Sequence, residues 1–298
     1  MHMPWEDVQL FLAIAEAKSL TAAARRLRVT QPTASRRLAD LEATLGEPLF
    51  TRSAAGVALT PVGERLLEPA RRMAEWAGEV ERAAERRDAA PSGIVRVTAP
   101  PGLAFDVLAP LAARVKAKLP GITLEVLSSI QHLDLARREA DLALRIGPVP
   151  AELHTVVVRE SGVGAFVAPS LAKKLPPKPR PADVPWVGWA PPLDQLSPNP
   201  ELAAVIPGFQ PSFTSDDYVV LLRAAEAGLG AIFLPRLRHL GSSLARFVEI
   251  DVGLPRITRS VRLVCAKSAL DIPRVRAVAA FVEAELRDAE ELPPLRRR

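Results

Sequence analysis

The sequence predicts two unlike parts joined by a long helix: a small, mainly α-helical N-terminal domain and a larger α/β domain built of two subdomains. Three observations predict it. Between Ser19 and Leu45 helical periodicity is interrupted by one tight turn; from Gly63 to about Asp88 the pattern is helical throughout; beyond Ile94 short apolar strands alternate with helices.

In the first region Ala34, Leu38, Leu41 and Leu45 recur at i, i+4, i+7 and i+11, one apolar stripe along a helix. At about 100° per residue, Pro32 and Arg36 lie across from that stripe, flanked by Thr33 and Ser35, with Gln31 in the first turn. Thr30 is placed to cap the helix, and Pro32 sits in the first turn, where a missing N–H costs little. A preceding helix turns Leu20, Ala23, Ala24 and Leu27 inward, and Arg28-Val29 form the turn between the two. From Thr21 to Ala39 the chain holds Arg25, Arg26, Arg28, Arg36 and Arg37 and no acidic residue. Such a patch displaces counterions from phosphates, and Gln31 and Arg36 suit two-pronged contacts to adenine and guanine edges. A helix-turn-helix that reads double-stranded DNA is the economical interpretation; a solvated arginine-rich helical hairpin is the other.

The flanks favour the first. Leu49-Phe50-Thr51-Arg52, a turn at Ser53-Ala54-Ala55-Gly56 and Val57-Ala58-Leu59-Thr60 spell a β-hairpin wing, from which Arg52 reaches toward a phosphate. With these motifs the chain resembles the LysR-type transcriptional regulators. The resemblance rests on WEDVQLFLAIAEAKSLTAAARRL, VTQPTASRRLADLEATLG, LFTR and LTPVGE, in register over some sixty residues and looser beyond. It implies that Gln31, Pro32, Ser35 and Arg36 read bases, while Thr30, Thr33, Arg37 and Arg52 contact phosphates.

After Gly63, Ala70, Ala77 and Ala84 alternate with Leu66, Met73 and Val80 in a heptad, the pattern of a coiled-coil seam, although a helix lying on its own domain also fits. The family resemblance implies antiparallel pairing with the same helix of a second subunit, so that two reading units meet an interrupted palindrome as a dimer or tetramer. Ala89-Ala90-Pro91-Ser92-Gly93 breaks the helix and marks a boundary. The division expected is a winged helix-turn-helix over 1–62, a linker and dimerisation helix over 63–90, and an α/β domain over 91–298.

In that last part, strands at Ile94–Thr98, Thr123–Leu127 and Asp141–Ile146 alternate with helices at Val107–Leu119 and Leu133–Glu139, which implies a mostly parallel sheet. A second set holds a strand at Ala165–Ala168, a proline-rich stretch, Phe213-Thr214-Ser215, a helix from Tyr218 to Ala227 stopped by Gly228, and a strand at Ala231–Leu234. Two α/β subdomains around a cleft resemble periplasmic binding proteins and the effector-binding half of the LysR-type family. The resemblance implies subdomain I at about 91–161 and 267–290, subdomain II at about 162–266, and a helix at Pro273–Arg287 packing back on the first.

Ligands of open α/β sheets bind beyond the carboxyl ends of the strands. Those ends are Thr98, Ala99, Pro100, Pro101 and Gly102, then Ser128 and Ser129, then Arg145 and Gly147, and across the cleft Phe213, Thr214, Ser215 and Asp216. The Thr214-Ser215-Asp216 segment precedes a helix and suits either an anion or plain capping. The first loop departs from the family's hydroxyl-rich pattern and keeps Thr98 as its one side-chain donor, which counts against a carboxylate held in the usual way. Trp186-Val187-Gly188-Trp189 reads either as an apolar ligand wall or as a core plug.

Composition bounds what else the chain does. With 298 residues, 24% charged, and a mean hydropathy of +0.11, it reads as globular, and 39 Lys+Arg against 34 Asp+Glu give a modest net charge of +5, so the positive field is local. No apolar run approaches membrane-spanning length and Met1–Asp7 does not open a signal peptide, so a cytoplasmic protein is expected, with no membrane partner. Cys265 lies in a buried strand and suits packing better than redox sensing. His2, His132, His154 and His239 are dispersed, and the P-loop, HExxH and GxSxG patterns are missing, so no metal, cofactor or enzyme activity is expected. The function implied is a ligand-responsive transcription regulator whose partners are DNA, a small-molecule effector, further copies of itself and, indirectly, RNA polymerase. An architectural DNA-binding protein and a solute-binding protein each explain only one half.

Overall fold

Helix α1 (Trp5–Ala17) buries Val8, Leu10, Phe11 and Ile14, and around it fold α2 (Leu20–Arg26) and α3 (Gln31–Leu45). This computed structural model describes residues 3–53, 56–84, 90–131, 133–238, 243–255 and 257–291, in two compact units, 1–89 and 90–298. Ser19 caps α2 and Thr30 caps α3, each hydroxyl accepting a backbone N–H of the first turn. The turn between them places Arg28 at φ +57°, and Gly46 ends α3 in the left-handed conformation that only glycine adopts freely. The expected stripe is the buried one: Ala34, Leu38 and Leu41 lie in the core with Phe11, Leu20 and Ala24, and Leu45 packs at its edge.

The wing is an antiparallel hairpin, β1 (Phe50–Ser53) with β2 (Gly56–Leu59). Glu42 of α3 secures its root by accepting the N–H groups of Leu49 (2.7 Å) and Phe50 (3.2 Å). Helix α4 then runs over Pro61–Ala84. Its first half belongs to the N-terminal unit, since Ala70 is buried in that core and Leu66, Leu67 and Ala74 pack against it.

The second unit is organised by one seven-stranded sheet. Its strands are β3 (Gly93–Ala99), β4 (Ile122–Ser128), β5 (Leu142–Ile146), β6 (His154–Val167), β9 (Ile232–Pro235), β11 (Val248–Ile250) and β12 (Ile257–Cys265), in the order β11-β6-β12-β5-β3-β4 with β9 also on β6. Only β3 with β4 and β3 with β5 are parallel. The sheet is therefore mixed where a mostly parallel one is expected from the sequence. The reason lies in β6 and β12, a long antiparallel pair from Ile257↔Val163 to Cys265↔His154 that carries the chain out of one lobe and back. The short strand expected at Ala165–Ala168 is the end of β6.

Helix α5 starts at Pro101–Leu103, passes through a π turn at Ala104–Leu108 and continues over Ala109–Lys118. The helix expected at Leu133–Glu139 is instead a series of turns, with Asp134 Oδ1 accepting the N–H groups of Ala136 and Arg137 and Arg138 at φ +56°. Apolar spacing does not distinguish one closed turn from a propagating helix, and here the acidic side chain captures the N–H groups locally. In the second lobe β7 (Val187–Trp189) pairs with β8 (Phe213–Ser215), followed by α6 (Tyr218–Glu226) and Gly228 at φ +84°.

Each lobe has its own core. Val95, Val97, Leu108 and Leu111 pack with Val275, Val278 and Val282 of α7 (Pro273–Asp288) in the first. In the second, Phe166, Leu221, Leu222 and Leu234 pack with Val187, beside a cluster around Trp186 and Val167. The chain end ties the lobes together: β13 (Glu290–Glu291) pairs with β10 (Leu237–Arg238), Arg159 donates to the Ala289 carbonyl, and Gly162 N–H donates to Glu291.

Candidate DNA-reading and effector sites

The outer face of α3 is polar and largely unengaged. Gln31, Pro32 and Arg36 are exposed, Ser35 is half-buried, and among the described residues the side chains of Gln31, Ser35 and Arg36 make no hydrogen bond or ion pair. Thr30 and Thr33 hydrogen-bond each other at 2.8 Å while Thr30 also accepts the Thr33 N–H. Arg37 stands apart from its neighbours. Its guanidinium donates twice to Asp7 Oδ1, at 2.9 and 3.3 Å, and so pins the start of α1 to α3. To reach a phosphate it must leave that carboxylate. Arg26 is paired with Glu16, whereas Arg25 and Arg28 are exposed and form no ion pair among the described residues. The side chain of Arg52 lies outside the described residues.

On α4 the expected seam divides. Leu66 and Ala70 pack on the N-terminal core, while Met73 and Val80 are exposed, Val80 at 69%, and Ala77 is half-buried. Trp76 is exposed beside them and escapes a heptad count because it falls between the two seam positions. The side chain of Ala84 lies outside the described residues.

In the second unit the expected strand ends of the first lobe are tied to their neighbours by backbone hydrogen bonds. The Ala99 carbonyl accepts the Ser129 N–H at 3.0 Å, joining the ends of β3 and β4, and Gly147 N–H donates to Ser260 at 2.9 Å, joining β5 to β12. Across the cleft, the Tyr218 ring lies against Gly102, where a Cβ would come within 3.2 Å of Cζ and press the ring back by a few tenths of an ångström. Phe213, Trp189 and Tyr218 line the core of the second lobe together.

A carboxylate missed in the sequence closes the contact. Asp106, on the π turn of α5, accepts the Tyr218 hydroxyl at 3.3 Å and both the N–H and the hydroxyl of Ser243, at 3.1 and 2.6 Å. Burial first, and then the Asp106 charge and hydrogen bond, push the Tyr218 phenol well above its ordinary pKa, so it remains a donor. One acid of the first lobe thus clamps two donors of the second. In the sequence Asp106 looks like any acid on an amphipathic helix, and neither the π turn nor the return of Ser243 is visible there.

Other expected positions contribute differently. Ser215 and Asp217 cap α6: Asp217 Oδ1 accepts the N–H groups of Val219 (2.7 Å) and Val220 (3.1 Å), and Ser215 accepts that of Asp217. These N–H groups are therefore engaged, and Asp216 and Thr214 are exposed. Ser129 accepts the Gln131 N–H, and Ser128 is exposed. Thr98 is 1% exposed and its hydroxyl has no partner among the described residues. Trp186 is a core plug, its indole donating to the Pro181 carbonyl and meeting Phe233 edge-on at 5.4 Å. Cys265 is buried, and burial raises its thiol pKa. Among the described residues no group of three or more His, Cys, Asp or Glu side chains is placed to hold a metal ion, and no helix is long and apolar enough to cross a membrane.

Both parts of the chain match known protein families. Residues 5–64 match the bacterial regulatory helix-turn-helix protein family, lysR type, and residues 88–287 match the LysR substrate binding domain. An HTH-type transcriptional regulator of Xanthomonas campestris is 33% identical over 171 residues, 56% of this chain and 49% of that one. The regulator PtxR of Pseudomonas aeruginosa is 34% identical over 194 residues, 63% of this chain and 61% of that one. The chain thus aligns with about half to three-fifths of the length of these relatives. Full-length CbnR, solved in complex with its target DNA, has a similar fold: TM-score 0.57, 22% identity, 95% of this chain and 100% of that one. With both family models matched in order, and the second alone spanning residues 88–287, the chain belongs to the LysR family of bacterial transcriptional regulators.

Proposed function

We propose that this protein regulates transcription by binding an interrupted palindrome as a dimer or tetramer, and that a small molecule in the cleft of the second unit sets its state. The observation that carries this is the outer face of α3, which holds Gln31 and Arg36 exposed and without protein partners at the start of a capped helix. Such a helix end enters the major groove, where arginine and glutamine discriminate bases and the neighbouring threonines position the backbone. The similar fold of CbnR, crystallised with DNA, supports the same use here. Its role is that of a regulator and not an enzyme, in the cytoplasm, reaching RNA polymerase through the DNA. The functional division follows: 1–62 reads, 63–90 pairs, and 91–298 senses. Met73, Trp76 and Val80 form an apolar strip suited to the α4 of a second copy, because it continues beyond the part of the helix that its own domain covers.

Sensing acts through the contact between the lobes. Gly102, Tyr218, Asp106 and Ser243 hold the cleft shut, so a ligand that binds the open and closed arrangements unequally shifts their populations. Mapping of binding sites across the genome, followed by anisotropy titrations on one recovered site, tests the reading. A dyad-symmetric site is expected, with binding that weakens steeply as salt rises. Uniform binding to unrelated duplexes at equal salt would leave only an architectural role.

A further inference from the structure

Among the described residues, Arg145 and Arg262 in the sheet of the second unit form no ion pair, unlike Arg96 and Arg259 of the same sheet. Strand register sets Arg145 of β5 directly opposite Arg262 of β12, and Arg262 opposite Val158 of β6, so all three project from one face. Like charges placed directly opposite each other repel. The row runs from open to closed: Val158 is 46% exposed, Arg262 half-buried and Arg145 only 5% exposed. Arg145 gives one hydrogen bond, to the Leu133 carbonyl at 3.0 Å, and Arg262 donates to the Gly147 carbonyl and the Ser260 hydroxyl. All of these acceptors are neutral. Glu160, one row along the same face, is exposed and forms no ion pair with either arginine. By contrast Arg96 pairs with Glu125 and Arg236 with Glu249.

A guanidinium withdrawn from water without a counter-charge is costly, and burial lowers the pKa of Arg145. Several of its five donors remain available. Beside the pair, Gly147 turns at φ +84° with open space where a side chain would stand, at the carboxyl end of β5, the place where α/β sheets receive ligands. We infer that Arg145 and Arg262 bind a small oxyanion, a carboxylate or a phosphate, and that this anion is the acidic group of the effector. The second half of this statement rests on the proposed sensing role of the cleft. It also explains how a first loop of Ala99-Pro100-Pro101-Gly102, without hydroxyls, serves an acidic ligand: the charge is met from the sheet floor and not from the loop. Forked guanidiniums suit planar and tetrahedral oxyanions by paired N–H contacts.

Thermal unfolding of the full-length protein, titrated with sodium phosphate, sodium sulfate and sodium succinate against sodium chloride at equal ionic strength, tests this site. A saturable rise in melting temperature is expected for at least one of the three, about 5–10 °C at a hundredfold excess over Kd, and the responding anion separates phosphate from carboxylate. Arg262→Gln removes that rise. Arg145→Met removes it too and raises the melting temperature without anion, because an uncompensated charge has been taken away. No saturable response to any of the three salts, or a response of wild-type size in Arg262→Gln, overturns the site, and the second result makes the ion adventitious. Arg262 is half-buried, so its variant carries the test even where Arg145→Met fails to fold. The sensing role fails separately: if the anion stabilises the protein and leaves operator affinity unchanged, the site stands and its identification with the effector falls. If a neutral metabolite shifts wild type and Arg262→Gln alike and changes operator affinity, sensing stands and the acidic effector falls.

Discussion

The outer face of α3 and the cleft of the second unit use polar side chains in opposite ways. On α3, Gln31 and Arg36 stand in water without partners; in the cleft, Asp106, Tyr218 and Ser243 satisfy one another across two lobes. The difference teaches where binding energy is stored. A surface that reads DNA keeps its donors hydrated and exchanges water for bases, so changing them leaves stability nearly untouched. A closed cleft has already made its exchange within the protein, so changing it alters the fold's internal equilibrium first and ligand response second.

Five measurements sharpen that contrast. The largest effect belongs to the inner side of α3: Leu38, 3% exposed, should cost about 2–5 kcal/mol of stability as Leu38→Ala, read by urea unfolding of the N-terminal transition. Next come two substitutions that divide the molecule. Asp106→Ala leaves the Tyr218 and Ser243 donors without their acceptor and should cost about 1–3 kcal/mol in the second unit, with faster hydrogen exchange at the start of α6. Arg36→Ala should cost about 1–3 kcal/mol in operator binding and relax base preference, with unfolding unchanged within about 0.5 kcal/mol. If Arg36→Ala destabilised the fold and Asp106→Ala did not, the contrast would be reversed and the assignment of α3 lost. Thr30→Ala, removing the cap of α3, should cost about 1 kcal/mol.

The smallest effect is in acid. Burial opposes the Glu226 carboxylate, but hydrogen bonds from Arg246 and Arg223 outweigh it and hold its pKa below the ordinary value. A lowered folded pKa means that its contribution is complete above the unfolded value, about 4.3, and is lost as pH falls through the folded one. Glu226→Gln should therefore lower stability by less than about 1 kcal/mol at pH 7, a loss that vanishes below the folded pKa and so flattens the acid limb, as followed by circular dichroism.

Legibility in the sequence follows the range of the interactions. The stripe of Ala34, Leu38 and Leu41, the Thr30 cap and the wing strands are set by neighbours within a few residues, and all are where periodicity and capping place them. Arg37 looks equivalent to Arg36 in sequence, yet it turns to Asp7, thirty residues away. Leu133–Glu139 has helical spacing but closes on Asp134. The strand ends of the cleft were visible one by one, whereas the mixed sheet was not, because β6 and β12 owe their length to pairing between segments about a hundred residues apart.

By itself, then, the sequence determined α3, the wing, the long α4 and much of the strand and helix alternation of the second unit, since periodicity, caps and turn residues act locally on the backbone. Only the tertiary structure decided that Tyr218 lies on Gly102, that Asp106 meets Ser243, and that Arg145 stands opposite Arg262. Each of these depends on strand register and lobe closure, which the whole chain's packing selects and no short stretch of residues encodes.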